Sequence, residues 1–428
     1  MGKLPKGIRR IASFALVVVA MLGVSACTMR SAAAPGPPPQ ADVPLPPEVS
    51  DRLDATLAEA MELAGASGAI AGVWAPWAGE WVVSPGTTTL DGSAPLSPDM
   101  RFRIASNTKS MTCTVLLRLA DEGVVALSDL VSKHLPRLAG LDGITLGHLC
   151  QNTSGLADYF AQLGAQFVNN PEREWSPMEL LSNGLASPRI AAPGKAWSYS
   201  NTGFAGLGMA LQAATGKDWK SLYKQYIFDP LDMSDTSFPD PTDMDMPGAH
   251  PHGYAAAVNP DGTRDCSRIL DETQLSNSMG WVAGGAVSTI EDLKIWVQSL
   301  ATGSLLSEES AKAQWSTVGL GGDAPSWQRY GLGALQLGPL RGHDGEIPGF
   351  ISTMLSDPES GLTVVVMLNN STAGDEFAQT VALQLASIAS KAPAVSGRTA
   401  PVIELPWSVE QTNAALKAAA VCQPAPAG

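Results

Sequence analysis

Histidine is scarce in this chain, with five residues in 428. No pair of them frames a His-Glu-x-x-His helix, so the metalloprotease signature is missing. His250-Pro251-His252 lies in a proline-bounded stretch and reads as a solvated loop rather than a ligand pair. Gly-x-Ser-x-Gly is also missing, which argues against the nucleophile elbow of the α/β-hydrolases. Basic residues are few, 27 against 41 acidic, for a formal charge of −14. That balance speaks against nucleic acid or an anionic lipid surface as a main partner. The longest apolar stretch, Ile11 to Val24, is too short to span a bilayer. What is plentiful is hydrophobic residues, at 45%, enough for a globular core.

The first residues read as a targeting segment. Lys3, Lys6, Arg9 and Arg10 precede the apolar stretch, which ends in Val24-Ser25-Ala26-Cys27. That ending resembles a bacterial lipobox, with Cys27 as the acylated first residue of a mature lipoprotein. The alternative is an ordinary cleaved signal peptide and an incidental cysteine. Residues 1–26 are thus expected to be a lipoprotein signal and 27–47, rich in Pro and Ala, a tether to the membrane of the bacterial cell envelope. Loss of the four basic residues leaves the mature chain near −18. Cys113, Cys150, Cys266 and Cys422 allow three pairings in an exported protein. Cys113–Cys150 with Cys266–Cys422 is one reading, and buried free thiols are another.

Ser106 and Lys109 carry the chemistry. Three residues apart, they share one face of a helix whose apolar positions are Met111, Val115, Leu116 and Leu119 and whose end is Gly123. A lysine with a lowered pKa can take the serine's proton, giving a nucleophile without a Ser-His-Asp triad. The same spacing recurs at Ser221 and Lys224, in a polar run that reads as a chance surface pair. The first pair has company. Tyr199-Ser200-Asn201 is the only Tyr-x-Asn, and His343-Asp344-Gly345 follows. Ser-x-x-Lys, Tyr-x-Asn and Lys/His-x-Gly in this order form the signature of penicillin-recognising serine enzymes.

Along the chain, Val49, Leu53, Leu57, Met61 and Ala64 mark an amphipathic helix. Ala69–Trp74 and Glu80–Val83 read as a hairpin. Signals from Ala105 to about Glu291 are mostly helical. Strands return at 331–337, 350–355 and 362–368, before a helix over 377–389 and a possible one over 408–421. The expected fold class is α+β: an antiparallel sheet of five or more strands assembled from both termini, flanked by helices, plus a helical lobe over about 105–290. The expected hydrolase domain spans 48–392, with a C-terminal extension over 393–428.

On these motifs the chain resembles the class C β-lactamase and D-alanyl-D-alanine carboxypeptidase family, with its esterase and peptidase relatives. The resemblance covers about residues 47–392. It extends to Asp121-Glu122-Gly123, Thr153-Ser154-Gly155-Leu156, Pro230-Leu231-Asp232-Met233 and Ala283-Gly284-Gly285. It implies that Ser106 is acylated and that Lys109 accepts its proton. Tyr199 would pass a proton to the leaving group, and Asn201 would hold the substrate's amide. His343, where many relatives have lysine, would tune the field around Tyr199. Gly345 would let substrate approach the strand, and the N–H groups of Ser106 and Glu346 would bind the oxyanion. Tyr159 would be an aromatic site wall. No cofactor or metal is implied. The substrates implied are a peptidoglycan stem peptide, an ester or a β-lactam.

Two positions depart from the family pattern. Asp344 replaces a common Thr, Ser or Gly, and a carboxylate there would repel a carboxylate-bearing substrate by roughly 4 kcal/mol at 4 Å and an effective dielectric of 20. Either Asp344 points away, or it pairs with His343 or a cation, or the substrate lacks that carboxylate. Gln151-Asn152 replaces a Ser-His pair and reads as structural. The function expected is a D-alanyl-D-alanine carboxypeptidase-type or related peptidase. The alternatives are an esterase or weak β-lactamase of the same fold, or a non-catalytic lipoprotein that binds the wall.

Overall fold

Strands from both ends of the chain meet in one sheet. The computed structural model describes residues 36–422, so Cys27 and the signal segment lie outside the described residues. The sheet has eight strands: β1 (Ala69–Ala75), β2 (Gly79–Val83), β3 (Val318–Gly319), β4 (Gln328–Tyr330), β5 (Leu335–Leu337), β6 (Leu340–Ile347), β7 (Phe350–Ser356) and β8 (Thr363–Leu368). Their order is β2-β1-β8-β7-β6-β5-β4-β3. Each labelled contact is antiparallel, with Ala69 opposite Leu368 and Ile351 opposite the same residue from the other side. Central β8 is buried on both faces, which its unbroken Thr-Val-Val-Val-Met-Leu run requires.

Alternation sorts each strand between two cores. Ala71, Val73, Val366 and Leu368 face one layer with α1 (Pro47–Ala64) and α5 (Asp375–Ala389). Ile70, Val365, Met367 and Met354 face the helical lobe. Helix α1 buries Val49, Leu53, Leu57, Ala60 and Ala64 and closes at Gly65, whose φ of 62° suits a left-handed cap. Burying Leu53 or Leu57 contributes about 1.5–3 kcal/mol each. The lobe contains α2 (Thr108–Asp121), α3 (Asn201–Thr215) and α4 (Ile290–Thr302).

The lobe is not wholly helical. Tyr254–Val258 and Arg264–Asp271 form a hairpin. The alanines of the first strand favour a helix, but the chain turns at Asn259-Pro260-Asp261-Gly262. The hairpin is docked on the main sheet's end by Tyr254 N–H to Asn369 O and Ala256 N–H to Thr372 Oγ1. The strand expected over 331–337 is shorter, and β6 between 340 and 347 carries two glycines that hid it.

The segment expected to be a tether lies against the domain from about Gln40. Leu45 is buried, Gln40 Nε2 donates to Gly79 O at 2.9 Å, and Arg398 donates to the carbonyls of Pro39 and Pro76. The C-terminal extension is also packed. Helix α6 (Val409–Ala418) buries Leu416, and Lys417 pairs with Glu59 of α1 at 3.2 Å. Cys113–Cys150 and Cys266–Cys422 are both bonded. The first closes a 37-residue separation and should contribute about 2–4 kcal/mol. Reduction is expected to lower the denaturant midpoint accordingly, measured with and without dithiothreitol. An unchanged midpoint would refute this.

One buried carboxylate sits beside the hairpin. Glu272 is fully buried and neither carboxylate oxygen has a hydrogen-bond partner. Burial, with Asp271 adding to it, raises its pKa from 4.5 to about 8. The folded state therefore holds this proton where the unfolded chain releases it. Stability from Glu272 is complete below pH 4.5 and falls as pH rises to 8, by up to about 1.4 kcal/mol per unit. Relative to Glu272→Gln, the unchanged protein should lose unfolding free energy between pH 5 and 8. Parallel urea curves across that range would contradict it.

Candidate active site

The nucleophile turn is held in an unusual conformation. After the short strand Phe102–Arg103 the chain enters a 3-10 turn over Ala105–Asn107 and then α2. Ala105 has φ 48°, a left-handed value costly for alanine. Its neighbours maintain it: Thr108 Oγ1 donates to Ala105 O at 2.7 Å, and Asn107 Nδ2 donates to Ile104 O and to Ser352 Oγ on β7. The turn leaves Ser106 partly exposed while Lys109 is fully buried.

Lys109 Nζ lies 2.8 Å from Ser106 Oγ and 2.8 Å from Ala283 O. Burial lowers the amine to about 7, against the opposing pull of Asp158, Asp375 and Asp344. A large fraction of it is then neutral at physiological pH. Tyr199 lines the same cavity as Ser106, and its ring lies 4.8 Å from Lys109 Nζ. Burial, with Tyr330 next in effect, pushes its phenol well above 10, so it stays protonated. The Tyr199 segment is fixed by Asn152, a buried residue at φ 56°. Asn152 O accepts from Ser198 N–H at 2.8 Å and its Oδ1 from Ser200 N–H at 3.1 Å. Ser200 then caps α3, which begins at Asn201.

Ser106 opens into a cavity of about 250 Å³. Asn201 lines it and donates from Nδ2 to Asp158 Oδ2 at 2.9 Å. Tyr159 is almost wholly buried and donates its hydroxyl to Met279 O at 3.0 Å, so it is part packing and part wall. Glu346 faces the cavity and pairs with Arg264 at 3.4 Å; burial raises its pKa, opposed by Arg264. Gly345 is where β6 meets the nucleophile turn. A β-carbon there would lie 2.5 Å from Ser106 N and 2.7 Å from Ile104 O. Gly345→Ala is expected to shift the strand and cut kcat/KM about 10²-fold, since misplacement of order 1 Å costs that much. Unchanged kcat/KM would show that the contact is not needed.

His343 sits behind Tyr199 rather than against Ser106. Its Nε2 is 3.0 Å from Tyr330 Oη and its Nδ1 2.6 Å from Asp344 O, with ring centroids of His343 and Tyr199 6.4 Å apart. Nδ1–H donates to the Asp344 carbonyl, and Nε2 shares a hydrogen bond with the Tyr330 hydroxyl. Asp344 does not line the Ser106 cavity. Its Oδ2 accepts from Gln379 on α5 at 2.5 Å, and its Oδ1 lies 3.3 Å from His343 Nδ1. The second Ser-x-x-Lys is a surface feature, with Ser221 bonded to Asp218 and Lys224 to Asp229.

Two site residues lay outside the motif reading. Asp158 had a signal only in its place beside Tyr159. Asp375, at the start of α5, had none. It lines the Ser106 cavity from 269 positions away. Burial and the charges of Asp344 and Glu346 push its carboxyl far up.

Known proteins resemble this chain in sequence and fold. The Beta-lactamase family model matches residues 53–387. The chain is 29% identical over 301 residues to the D-alanyl-D-alanine-carboxypeptidase/endopeptidase AmpH of Escherichia coli, covering 64% of this chain and 72% of that protein. It is 27% identical over 312 residues to penicillin-binding protein 4* of Bacillus subtilis, covering 69% and 66%. Among solved structures, a D-stereospecific amidohydrolase from Streptomyces sp. aligns with TM-score 0.66 and 28% identity, over 77% of this chain and 98% of that one. The D-amino acid amidase of Ochrobactrum anthropi aligns with the same TM-score and 25% identity, over 78% and 94%. With the family model matching residues 53–387, most of its length, this chain belongs to the Beta-lactamase family of serine hydrolases.

Proposed function

We propose that the protein hydrolyses a peptide or amide bond through an acyl-enzyme on Ser106, as a D-alanyl carboxypeptidase or endopeptidase. One observation carries the reading: a buried amine held near pKa 7, 2.8 Å from a serine hydroxyl that opens onto a cavity. Neutral Lys109 takes the Ser106 proton as Oγ bonds to the carbonyl carbon. The N–H groups of Ser106 and Glu346 hold the oxyanion, an interaction of about 3 kcal/mol per donor. As the C–N bond breaks, Tyr199 gives its proton to the leaving amine and regains one from the Lys109 ammonium. Water then attacks the ester carbonyl, its proton leaves through the same groups, and Ser106 Oγ–H is restored as the acid departs. Asn201 positions the acyl portion, and His343 orients Tyr330 beside Tyr199.

Asp375 and Glu346 in the cavity favour a second reading for part of the substrate range. Their carboxyls, with pKa values raised by burial, offer no cation to hold a substrate carboxylate near Ser106, so amides and esters lacking one should be accepted. The sequence further supports an exported lipoprotein anchored at Cys27. A fluorescent penicillin and a p-nitrophenyl ester separate the possibilities. Stable label mapped to Ser106 by mass spectrometry supports the wall peptidase. Fast ester turnover without label supports the esterase. Silence in both would refute the enzymatic reading and favour a wall-binding role.

A further inference from the structure

Past Tyr199 the Ser106 cavity adjoins a larger cleft of about 670 Å³. Tyr199 and Asp375 belong to both walls. The size suits a ligand fragment of several residues' bulk. One wall comes from Pro406, Trp407, Gln411 and Thr412, beyond residue 387 where the family match ends. That wall is firmly placed: Trp407 Nε1 donates to Leu383 O at 3.0 Å, α6 is tied to α1 through Lys417 and Glu59, and Cys422 is bonded to Cys266.

The lining has a definite chemistry. Trp197, Trp327, Tyr330 and Trp407 present aromatic rings, with Trp327 and Trp407 centroids 5.2 Å apart. Asp344 and Glu376 supply carboxylates, Asp375 adds a carboxyl whose pKa burial pushes far up, and among the described residues no lysine or arginine lines the cleft. Aromatic faces together with negative charge attract an ammonium group and its aliphatic stem. The same field repels the free carboxylate of a carboxypeptidase's leaving residue. Tyr199, the proton donor to the leaving group in the mechanism above, is the residue that joins the two spaces.

We propose that this cleft, walled in part by the C-terminal extension, is the leaving-group subsite and takes a residue bearing a side-chain amine. Its ammonium would face Asp344 and Glu376, and its methylenes the tryptophan rings. The inference rests on the acyl-enzyme reading above and names the substrate class of that same site.

The test uses the full chain and three blocked peptides, N-acetyl-D-Ala-D-Lys-amide and its D-norleucine and D-Glu counterparts. Expected kcat/KM falls in the order Lys, norleucine, Glu, with Lys ahead of norleucine by about tenfold at low salt and less at high salt. Glu376→Gln and Gln328→Lys should each lower the Lys-to-norleucine ratio. Ser106-dependent hydrolysis with equal rates, with Glu fastest, or with a ratio unmoved by both variants overturns the subsite and leaves the acyl-enzyme standing. No hydrolysis of any of the three overturns the endopeptidase reading and the subsite together.

Discussion

Ser106→Ala should remove hydrolysis of peptide and ester substrates alike, with kcat/KM falling by roughly 10⁴-fold or more, and should remove covalent penicillin label. The reason is local. The substitution deletes one oxygen, the hydroxyl that lies 2.8 Å from Lys109 Nζ and faces the cavity. The fold should not suffer. Ser106 is partly exposed and its side chain supports no packing, so thermal unfolding should move little. The Ala105 turn is kept by Thr108 and Asn107, which the change does not touch. Residual turnover within tenfold of the unchanged protein, with the fold intact by circular dichroism, would place the nucleophile elsewhere.

Lys109→Met should separate activity from stability. Without the amine, Ser106 loses the base that lies 2.8 Å from its hydroxyl, and acylation should slow by about 10³–10⁴-fold. Yet Lys109 is fully buried and its pKa lies near 7 rather than 10.5, so the folded state opposes its charge. The unfolded chain holds that proton up to pH 10.5. The penalty is therefore complete below pH 7 and is relieved as pH rises from 7 to 10.5. Methionine fills a similar volume and carries no charge, so the variant should melt higher than the unchanged protein at pH 6. The gain should shrink toward pH 10, partly offset throughout by the lost bond to Ala283 O. In the unchanged enzyme the acid limb of kcat/KM should fall near pH 7 and should survive His343→Gln. A limb that vanishes in that variant would assign the proton transfer to the imidazole instead.

The site shows how far local pattern reaches. Ser106 and Lys109 are neighbours because of helical spacing, and spacing is written in the order of residues. Tyr199-Ser200-Asn201 was legible because Ser200 is a helix cap as well as a motif residue. Four cysteines allow three pairings or none, and only the fold brings Cys113 to Cys150 and Cys266 to Cys422. Asp375 was not legible. Its role comes from the packing of α5 across β6, a contact between segments that share no local pattern. The hairpin at 254–271 failed for a related reason, since its alanines have helical propensity and only pairing and docking make them a strand.

The order of residues by itself determined the α+β architecture, the pairing of Ser106 with Lys109, and the family, because periodicity, caps and short motifs act over a few residues. Tertiary structure alone decided that Asp344 turns to Gln379, that His343 stands behind Tyr199, and that the tail walls a cleft beside the site. Those facts depend on which side chains meet across long loops and on how much water burial removes from each charge. Neither quantity is set by near neighbours in the chain.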